Sequence, residues 1–580
     1  MAIIYADQAG SNTAPYDTWA KAATSIQTAV DALSNNGDII IIGSGTWVIA
    51  TGITTANISL LANASFVIKS AIPGLCILSS NQANAEILKP NEATFKYNID
   101  FQGIDFTKSV THTDVATAAF LSITGAGGNV SFYNCNVYNM TVNYGVATSG
   151  TGPIIRCANS VRTLSLIDTV ISDINVTAIA ETPGLLGTGV NTSLVCTRLT
   201  VKNITVSISG LNAGMPGMFY CRNTVTVQDF IGDNITATNT GTGTANVYGF
   251  FYCQSITQTA SIDGATVTGF IWTGGGSGAF FCAFTGPYIA NRFNVSNCSI
   301  IDPTVLFVNG GVILALGDTA QGTFTNSVVH DCIGHFGIAY FASQGGGGTV
   351  NNILAYNNAA IGINVVGGAG GGGAIYCGGW GDVNISNSIF YSNTADEGGA
   401  VYAHIHAAAT RAKTVKIYNC TFYGNKVTKQ FGGLGGEAII AKGANATLLH
   451  TVEVKNNICW DDGIDEIYGY AAGAGLSLTV DHCNINGGQA ATTLVNIYTD
   501  NINANPEFDD QTNNRFSLKV SSPSKSKATN LGDTYKLGLN KASIWPDGIM
   551  QIDRSNHTWD QGAYVSDAKT KKRKLILAGV

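Results

Sequence analysis

Charged residues and proline are both scarce in this chain of 580 residues. Asp, Glu, Lys and Arg together make up 12% of it, and only 11 residues are proline. A set of small globular domains would need more polar cover, because small domains expose a larger share of their surface. The low charge, the 45% hydrophobic content and the 69 glycines favour one long stack of β-strands joined by turns.

Other absences narrow the function. The net charge of −7 argues against a nucleic-acid partner, and the one basic run is confined to 569–574. No stretch approaches the roughly 18 apolar residues of a membrane span, so no membrane insertion is expected. The opening MAIIYADQAGSN lacks the regions of a signal peptide. None of the 13 cysteines forms a C-x-x-C pair, and neither a metal nor a cofactor is predicted.

A segment of alternating apolar residues recurs, as in VSFYNCNVYN (130–139), VNISNSIFYSN (383–393) and VKIYNCTFYGN (415–425). Alternation with period 2, rich in Val, Ile and aromatic residues, predicts β-strands. A central position marks the phase and recurs with a mean step near 32 residues. It falls at Gly103, Asn134, Asp168, Arg198, Asp229, Gly264, Asn297, Asn326, Asn352, Asn387, Asn419, Asn456 and His482.

A second ladder runs in phase with the first. Its copies include GMFYC (217–221), GFFYC (249–253), GAVYA (399–403) and GEAII (436–440). Two ladders with the same irregular spacing indicate one β-solenoid coil per period, in which like side chains stack on like. Cysteines also recur at matching positions, which predicts reduced thiols that are buried as small hydrophobic groups.

We therefore expect an all-β protein, a single right-handed parallel β-helix of about 12–13 coils. The segment 25–35 places Ile26, Val30 and Leu33 on one face of a helix, which we expect to cap the first coil. DIIII (38–42) is expected to start the first strand. The predicted divisions are an opening segment with the capping helix (1–45), the β-helix (46–500), a closing segment (501–565) and a basic tail (566–580).

The opening TWAKAATSIQTAVDALSNNGDIIIIGSGTW resembles that of the pectate-lyase-like right-handed β-helix superfamily, which includes phage tailspikes and bacterial β-helix repeat proteins. NTADEGGAVY (393–402) is similar to repeats of bacterial β-helix adhesins, and DRSNHTWDQGAY (553–564) resembles a segment that finishes the last coil. The resemblance implies the fold and leaves the activity open. No calcium-and-arginine constellation of the lyases is matched here.

Two thin acidic clusters are the candidates for chemistry. Asp396 and Glu397 precede a Gly-Gly pair, and Glu437 follows about one coil later. A glycosidase needs two carboxylates about 5–10 Å apart, so these three residues are the candidate catalytic groups. Their alternative reading is a polar turn. The functional readings of the second cluster, WDDGIDEIYG (460–469), are a cation site and an acid–base pair. Because the cluster lacks the calcium-loop pattern, a solvated loop is the favoured prediction.

Recurring aromatic residues in the second ladder predict an inward stack and an outward strip. Outward rings suit sugar faces or a neighbouring subunit. The candidate glycan-binding residues are Trp272, Trp380, Tyr402 and Trp460, and internal stacking is the alternative reading for each.

Three functions remain open on the sequence alone. The leading one is a bacteriophage virion protein, such as a tail fibre, tailspike or capsid-surface component, that contacts host-surface glycans or neighbouring virion subunits. The alternatives are a polysaccharide lyase or glycoside hydrolase, and a bacterial surface adhesin. We expect a virion or extracellular location and a homo-oligomer, with a trimer among the options.

Overall fold

A computed structural model shows that the chain is an all-β, mostly parallel β-solenoid of at least ten turns. The right-handed sense stays a prediction. The structure describes residues 1–54, 64–84, 86–89, 97–113, 118–123, 128–144, 153–157, 163–178, 184–189, 191–209, 218–240, 250–253, 259–274, 279–283, 286–301, 311–315, 321–334, 337, 339–341, 347–361, 371–378, 381–405, 411–428, 435–443, 448–471, 475–557 and 559–566.

Within these described ranges the first sheet has 32 strands, and neighbouring strands pair in parallel from one turn to the next. Its strands are Ile3–Ala6, Ile39–Ile42, Gly45–Ile49, Ser65–Ser70, Cys76–Ser80, Asn98–Gln102, Ile104–Lys108, Asn129–Tyr133, Asn136–Tyr144, Thr163–Ile167, Val170–Ala178, Ser193–Thr197, Thr200–Ile208, Val225–Asn239, Ala260–Gly274, Tyr288–Ser296, Ser299–Ile301, Gln321–His330, Ile333–Gly334, Gly347–Tyr356, Ala359–Ala360, Val383–Ser386, Ile389–Tyr391, Thr394–Ala395, Thr414–Tyr418, Thr421–Tyr423, Lys426–Val427, His450–Lys455, Ile458–Trp460, Leu476–Asp481, Asn484–Ile485 and Ile497–Thr499.

The second sheet has 13 parallel strands in the part of the chain that the structure describes, and it is the ladder predicted from the GMFYC-type segments. Its strands are Leu121–Ile123, Ile155–Cys157, Leu186–Thr188, Phe219–Cys221, Phe251–Cys253, Ala279–Ala283, Gly311–Ala315, Ala339–Phe341, Ile375–Cys377, Val401–Ile405, Ile439–Gly443, Ile467–Ala471 and Thr492–Thr493.

The phase marker of the repeat is a backbone corner. Residues at the marker adopt left-handed φ values, such as 52° at Asn134, 53° at Asn419 and 59° at Asn456. Asn, Asp and Gly tolerate this conformation best, which explains why they dominate the position. One marker is wrong: the strand register places Arg292 (φ 55°) opposite Gly264, so Arg292 is the corner of that turn. Asn297 lies at a second corner five residues further along.

Side chains stack in the interior as the repeat predicts. The Phe101 and Phe132 rings lie parallel, with their centroids 5.0 Å apart, and Phe390 and Phe422 stack at 5.2 Å. Twelve of the cysteines are described as free, and all twelve are buried. The prediction of buried, reduced thiols is thus confirmed for these twelve.

The N-terminal helix is shorter than its sequence pattern. Helix α1 spans Ile26–Asp31, and the Ser25 hydroxyl accepts the Thr28 N–H at 3.0 Å as its N-cap. Ile26, Val30 and Leu33 are buried in the same core as the first strands. Its role as an end cap stays a prediction. Ile3–Ala6 pairs with Ile39–Ile42, so the parallel ladder begins before the strand expected to be first.

Residues 505–566, named the strap here, lie outside the solenoid. The strap contains the antiparallel pairs Phe508–Asp510 with Arg515–Leu518 and Leu537–Leu539 with Gln551–Asp553. Short 3-10 turns span Gln511–Asn513, Asp533–Tyr535 and Arg554–Asn556 in the strap, and Trp19–Lys21 and Gly488–Ala491 elsewhere. The buried Arg554 guanidinium donates to three carbonyl groups, those of Asp560, Gly562 and Ala563.

The strap runs back along the row of corners toward the N-terminal half. Asn456 exchanges two hydrogen bonds of 2.8 Å with the Thr529 backbone. Further back, Gln551 Nε2 donates to Asn352 Oδ1 at 3.3 Å, and Arg292 Nη1 donates to Asp547 Oδ1 at 3.2 Å. The strap therefore covers the flank of several coils.

A second hydrophobic core joins the strap to the solenoid. It consists of Ile389, Tyr391 and Ile458 from the first sheet and Phe508, Phe516, Leu539 and Ala563 from the strap. The rings of Phe516 and Tyr391 lie 5.1 Å apart, and those of Phe516 and Tyr423 lie 5.3 Å apart. Outward-facing residues of these coils are therefore removed from solvent.

Candidate functional site

Asp396 and Glu397 lie in the turn between the two sheets. Gly398, with φ 63°, turns the chain there into the strand Val401–Ile405. Both acidic residues are buried, at 1% and 4% exposure. The Glu397 carboxylate receives Lys442 Nζ at 3.0 and 3.2 Å through its two oxygens. Glu397 is therefore held as one half of a largely buried ion pair.

Glu437 takes a different partner. Its Oε2 accepts the Asp465 N–H at 2.9 Å, which ties it to the 461–466 turn. The structure thus brings Glu397 to Lys442 and Glu437 to the backbone of the second acidic cluster. The role of Asp396, Glu397 and Glu437 as catalytic groups stays a prediction.

The second acidic cluster is a buried pair. Asp462 and Glu466 are 2% and 0% exposed. Burial raises the pKa of both carboxyl groups well above the usual range, and the neighbouring Asp462 charge adds to the shift of Glu466. The predicted solvated loop is therefore wrong for these two residues.

Asp462 is the last member of a ladder of buried amides. Asn393 Oδ1 accepts the N–H and the Nδ2 of Asn358, and Asn425 Oδ1 accepts the same two groups of Asn393. Asp462 Oδ1 accepts the N–H of Asn425 at 2.7 Å and its Nδ2 at 2.8 Å. This ladder gives Asp462 a structural role.

His404, Lys442 and Tyr470 form one outward row across three strands of the second sheet, here named the second-sheet patch. His404 pairs in register with Lys442, and Lys442 with Tyr470. Lys442 Nζ lies 5.8 Å from the centre of the Tyr402 ring and 5.9 Å from that of Tyr470, within cation–π range. Tyr470 is 37% exposed, and the other two residues are half-buried.

Two buried tyrosines support the patch. The Tyr376 hydroxyl lies 2.9 Å from His404 Nδ1, and the Tyr402 ring stacks on His404 at 5.4 Å. Burial raises the pKa of Tyr402, and the nearby Tyr376 and Glu397 raise it further, so its hydroxyl stays protonated. The patch therefore presents an ammonium group and an aromatic ring on a rigid surface.

The four predicted glycan-binding residues fall in different places. Trp272 is fully buried and pairs in register with the core residue Ala237, so it has no surface for a sugar. Tyr402 is 4% exposed and acts beneath the patch. Trp460 packs against the core shared with the strap. Trp380 lies outside the described residues.

Lys442 and Tyr470 were missed because of a register error. The sequence ladder aligns Gly436 with Gly399, whereas the structure pairs Val401 with Ile439, one residue further along. A slip of one residue moves every side chain of a strand to the other face. Under the predicted register Lys442 would point inward. The sequence signal for the correct register is the alignment of Ile440 and Lys442 with Tyr468 and Tyr470 in the next coil.

The comparisons with known proteins identify no family. No family model matches the chain, and no curated protein matches it. Among solved structures the chain is similar to ORF18 of Geobacillus virus E2, with a TM-score of 0.18 and 11% identity. The match covers 72% of this chain and 57% of that chain. At that TM-score the likeness shows neither a shared topology nor a shared role.

Within the described residues, no helix is long and apolar enough to cross a membrane.

Proposed function

We propose that this chain is a rod-shaped structural and adhesion protein of the kind that a bacteriophage virion carries as a tail fibre, tailspike or capsid-surface component. Its task is to contact glycans of the host surface. The observation that carries the proposal is the second-sheet patch, in which Tyr470 and Lys442 lie side by side on neighbouring parallel strands. Aromatic rings stack on the apolar faces of sugars, and an ammonium group donates hydrogen bonds to their hydroxyl groups.

Two further observations support a virion role. A parallel solenoid gives a stiff rod on which a surface is held at fixed spacing. The twelve described cysteines are buried and free, which suits synthesis in a reducing cytoplasm. A secreted adhesin would have passed through an oxidising compartment. Assembly as a homo-oligomer belongs to the proposal, and size-exclusion chromatography with light scattering tests it.

Binding to surface polysaccharide from candidate host bacteria tests the adhesion role. We expect the full chain to bind one such polysaccharide and Tyr470→Ala to weaken that binding at least tenfold, because the exposed ring is lost. Ile464→Ala is the matched control, since Ile464 is 84% exposed and close in sequence. Wild-type affinity in Tyr470→Ala would refute the role of the patch.

The same polysaccharides test the enzymatic alternative. Release of reducing ends by the wild-type chain, together with its loss in Glu397→Gln or Glu437→Gln, would replace adhesion by depolymerisation as the function. We expect no release, because Glu397 is bound to Lys442 through both oxygens.

A further inference from the structure

An open groove of about 760 Å³ crosses the outer face of the first sheet at its N-terminal end. The strand register forms the floor of the groove, because one residue from each of five successive parallel strands lies opposite the next. These residues are Tyr5, Ile41, Lys69, Gln102 and Tyr133. The floor is about 19 Å long at the usual strand spacing of about 4.8 Å. This groove is distinct from the second-sheet patch, which lies on the other sheet near the C-terminal end.

Aromatic rings stand at both ends of the groove. Trp19, 43% exposed, rises beside Tyr5 with their ring centres 4.6 Å apart and the planes tilted by 56°. Tyr133 closes the floor at the far end, beside the corner residue Asn134. The two ends therefore offer separate rings on which successive units of an extended ligand can stack.

The polar groups between the rings favour an anion. Lys69 and Gln102 face each other across neighbouring strands, and no carboxylate is among the described lining residues. Lys69 makes no ion pair with any described residue. Its charge is therefore available to a negatively charged group of a ligand.

A peptide fits the groove less well than a glycan. Peptides bind sheets mainly by adding a strand to a free edge. The strands Ile39–Ile42, Ser65–Ser70 and Asn98–Gln102 beneath the groove are already paired on both sides. The groove thus presents side chains and no free backbone edge. Its aromatic rings, amides and one ammonium group are side chains that can stack on sugars or donate hydrogen bonds to them.

We infer that this groove is a second carbohydrate site, and that its ligand is an oligosaccharide with an acidic substituent that pairs with Lys69. The inference shares with the proposed function only the class of ligand, and it needs neither Tyr470 nor Lys442.

An array of acidic oligosaccharides and their carboxyl-reduced neutral counterparts tests the inference. We expect wild-type protein to bind an acidic member more tightly than its reduced counterpart. Lys69→Gln should bind the acidic member about tenfold more weakly and lose the preference, while binding to the neutral member is unchanged. Trp19→Ala should lose binding to both the acidic and the neutral member. Val48→Ala is the control, because Val48 is 60% exposed and outside the groove.

The variants separate this inference from the proposed function. Loss of array binding in Tyr470→Ala, with Lys69→Gln and Trp19→Ala at wild-type affinity, would overturn the groove and leave adhesion intact. Loss in the groove variants alone would support the groove, and the patch would still be tested by the binding of Tyr470→Ala to host polysaccharide. Binding to peptides in place of glycans would overturn the groove as a carbohydrate site. Unchanged thermal unfolding midpoints would show that the variants are folded.

Discussion

Asp462 is the last residue in a ladder of buried asparagines, and it carries an ionisable carboxyl group where they carry an amide. Asn425 Nδ2 donates to the Phe390 carbonyl as well as to Asp462, and Phe390 pairs in register with Phe422. An asparagine at position 462 can accept the same two N–H groups and donate toward the Phe422 carbonyl. The substitution Asp462→Asn therefore keeps the hydrogen bonds of the ladder and removes a buried carboxyl group.

We predict that Asp462→Asn makes stability less dependent on pH. A carboxyl group whose pKa is raised by folding contributes most to stability below the ordinary carboxyl pKa of about 4 and loses that contribution as the pH rises. Wild-type protein should therefore lose stability toward alkaline pH more steeply than the variant. Unfolding midpoints at pH 5 and pH 8 measure the difference.

Asp500→Asn is the matched control for this prediction, because the Asp500 side chain is 67% exposed. It should follow the wild-type pH dependence. An identical slope in Asp462→Asn would contradict the raised pKa of the buried Asp462 carboxyl group.

Corner residues show what a sequence can and cannot reveal at this scale. Asn at positions 134, 326 and 419 marks the left-handed corner through local conformational preference, which a repeat displays directly. Arg292 escapes that pattern, because arginine has no preference for left-handed φ and Asn297, at the second corner of the same turn, matches the pattern instead. Its position is stabilised by ion pairs with Asp229 (2.9 Å), Asp263 (2.8 Å) and Asp547 (3.2 Å), and two of these come from other coils and one from the strap.

At the scale of elements, the strap is the part whose location could not be predicted. The motif DRSNHTWDQGAY (553–564) predicts a closing segment and does not indicate where that segment docks. Its docking depends on contacts between residues as distant as Arg292 and Asp547, 255 positions apart. No periodicity in the strap relates it to those coils, whereas the coils relate to one another through their repeat.

We predict that Phe516→Ala releases the strap and leaves the coils folded. Phe516 is 1% exposed and packs on Tyr391 and Tyr423, so its loss should cost about 3–5 kcal/mol of docking free energy. Hydrogen–deuterium exchange should increase at Thr529 and along 508–518, while interior strands such as Val383–Ser386 stay protected.

Ile544→Ala provides the control, since Ile544 lies in the strap and is 71% exposed. It should exchange like wild type. Simultaneous loss of protection in the strap and in the interior strands of Phe516→Ala would show that the two parts fold as one unit.

At the scale of the molecule, the two halves of the solenoid differ in what covers them. The strap covers corners from His482 back to Arg292, where Gln561 and Asp547 make the outermost contacts. Described corners before Arg292, such as Asp168 and Arg198, face solvent as an exposed ion pair. In a repeat protein each coil is stabilised by its neighbours alone, so an added cover stabilises one half over the other.

We therefore predict that the N-terminal coils open first. Under native conditions with increasing urea, the amides of Thr163–Ile167 and Ser193–Thr197 should exchange at lower urea than those of Thr414–Tyr418 and His450–Lys455. In the Phe516→Ala variant, the difference in urea concentration between the N-terminal and the C-terminal strands should be smaller. A single exchange transition for all four strands in wild-type protein would contradict the prediction.

The position of the strap in the chain has a consequence for biosynthesis. Residues 505–566 leave the ribosome after every coil that they cover, so Tyr391, Asn419 and Asn456 are exposed to water from their own synthesis until the strap has been made. The nascent solenoid must therefore stay folded with this partly apolar flank exposed to solvent until the strap is synthesised. Ribosomes stalled before that point should display chains that aggregate through the exposed flank.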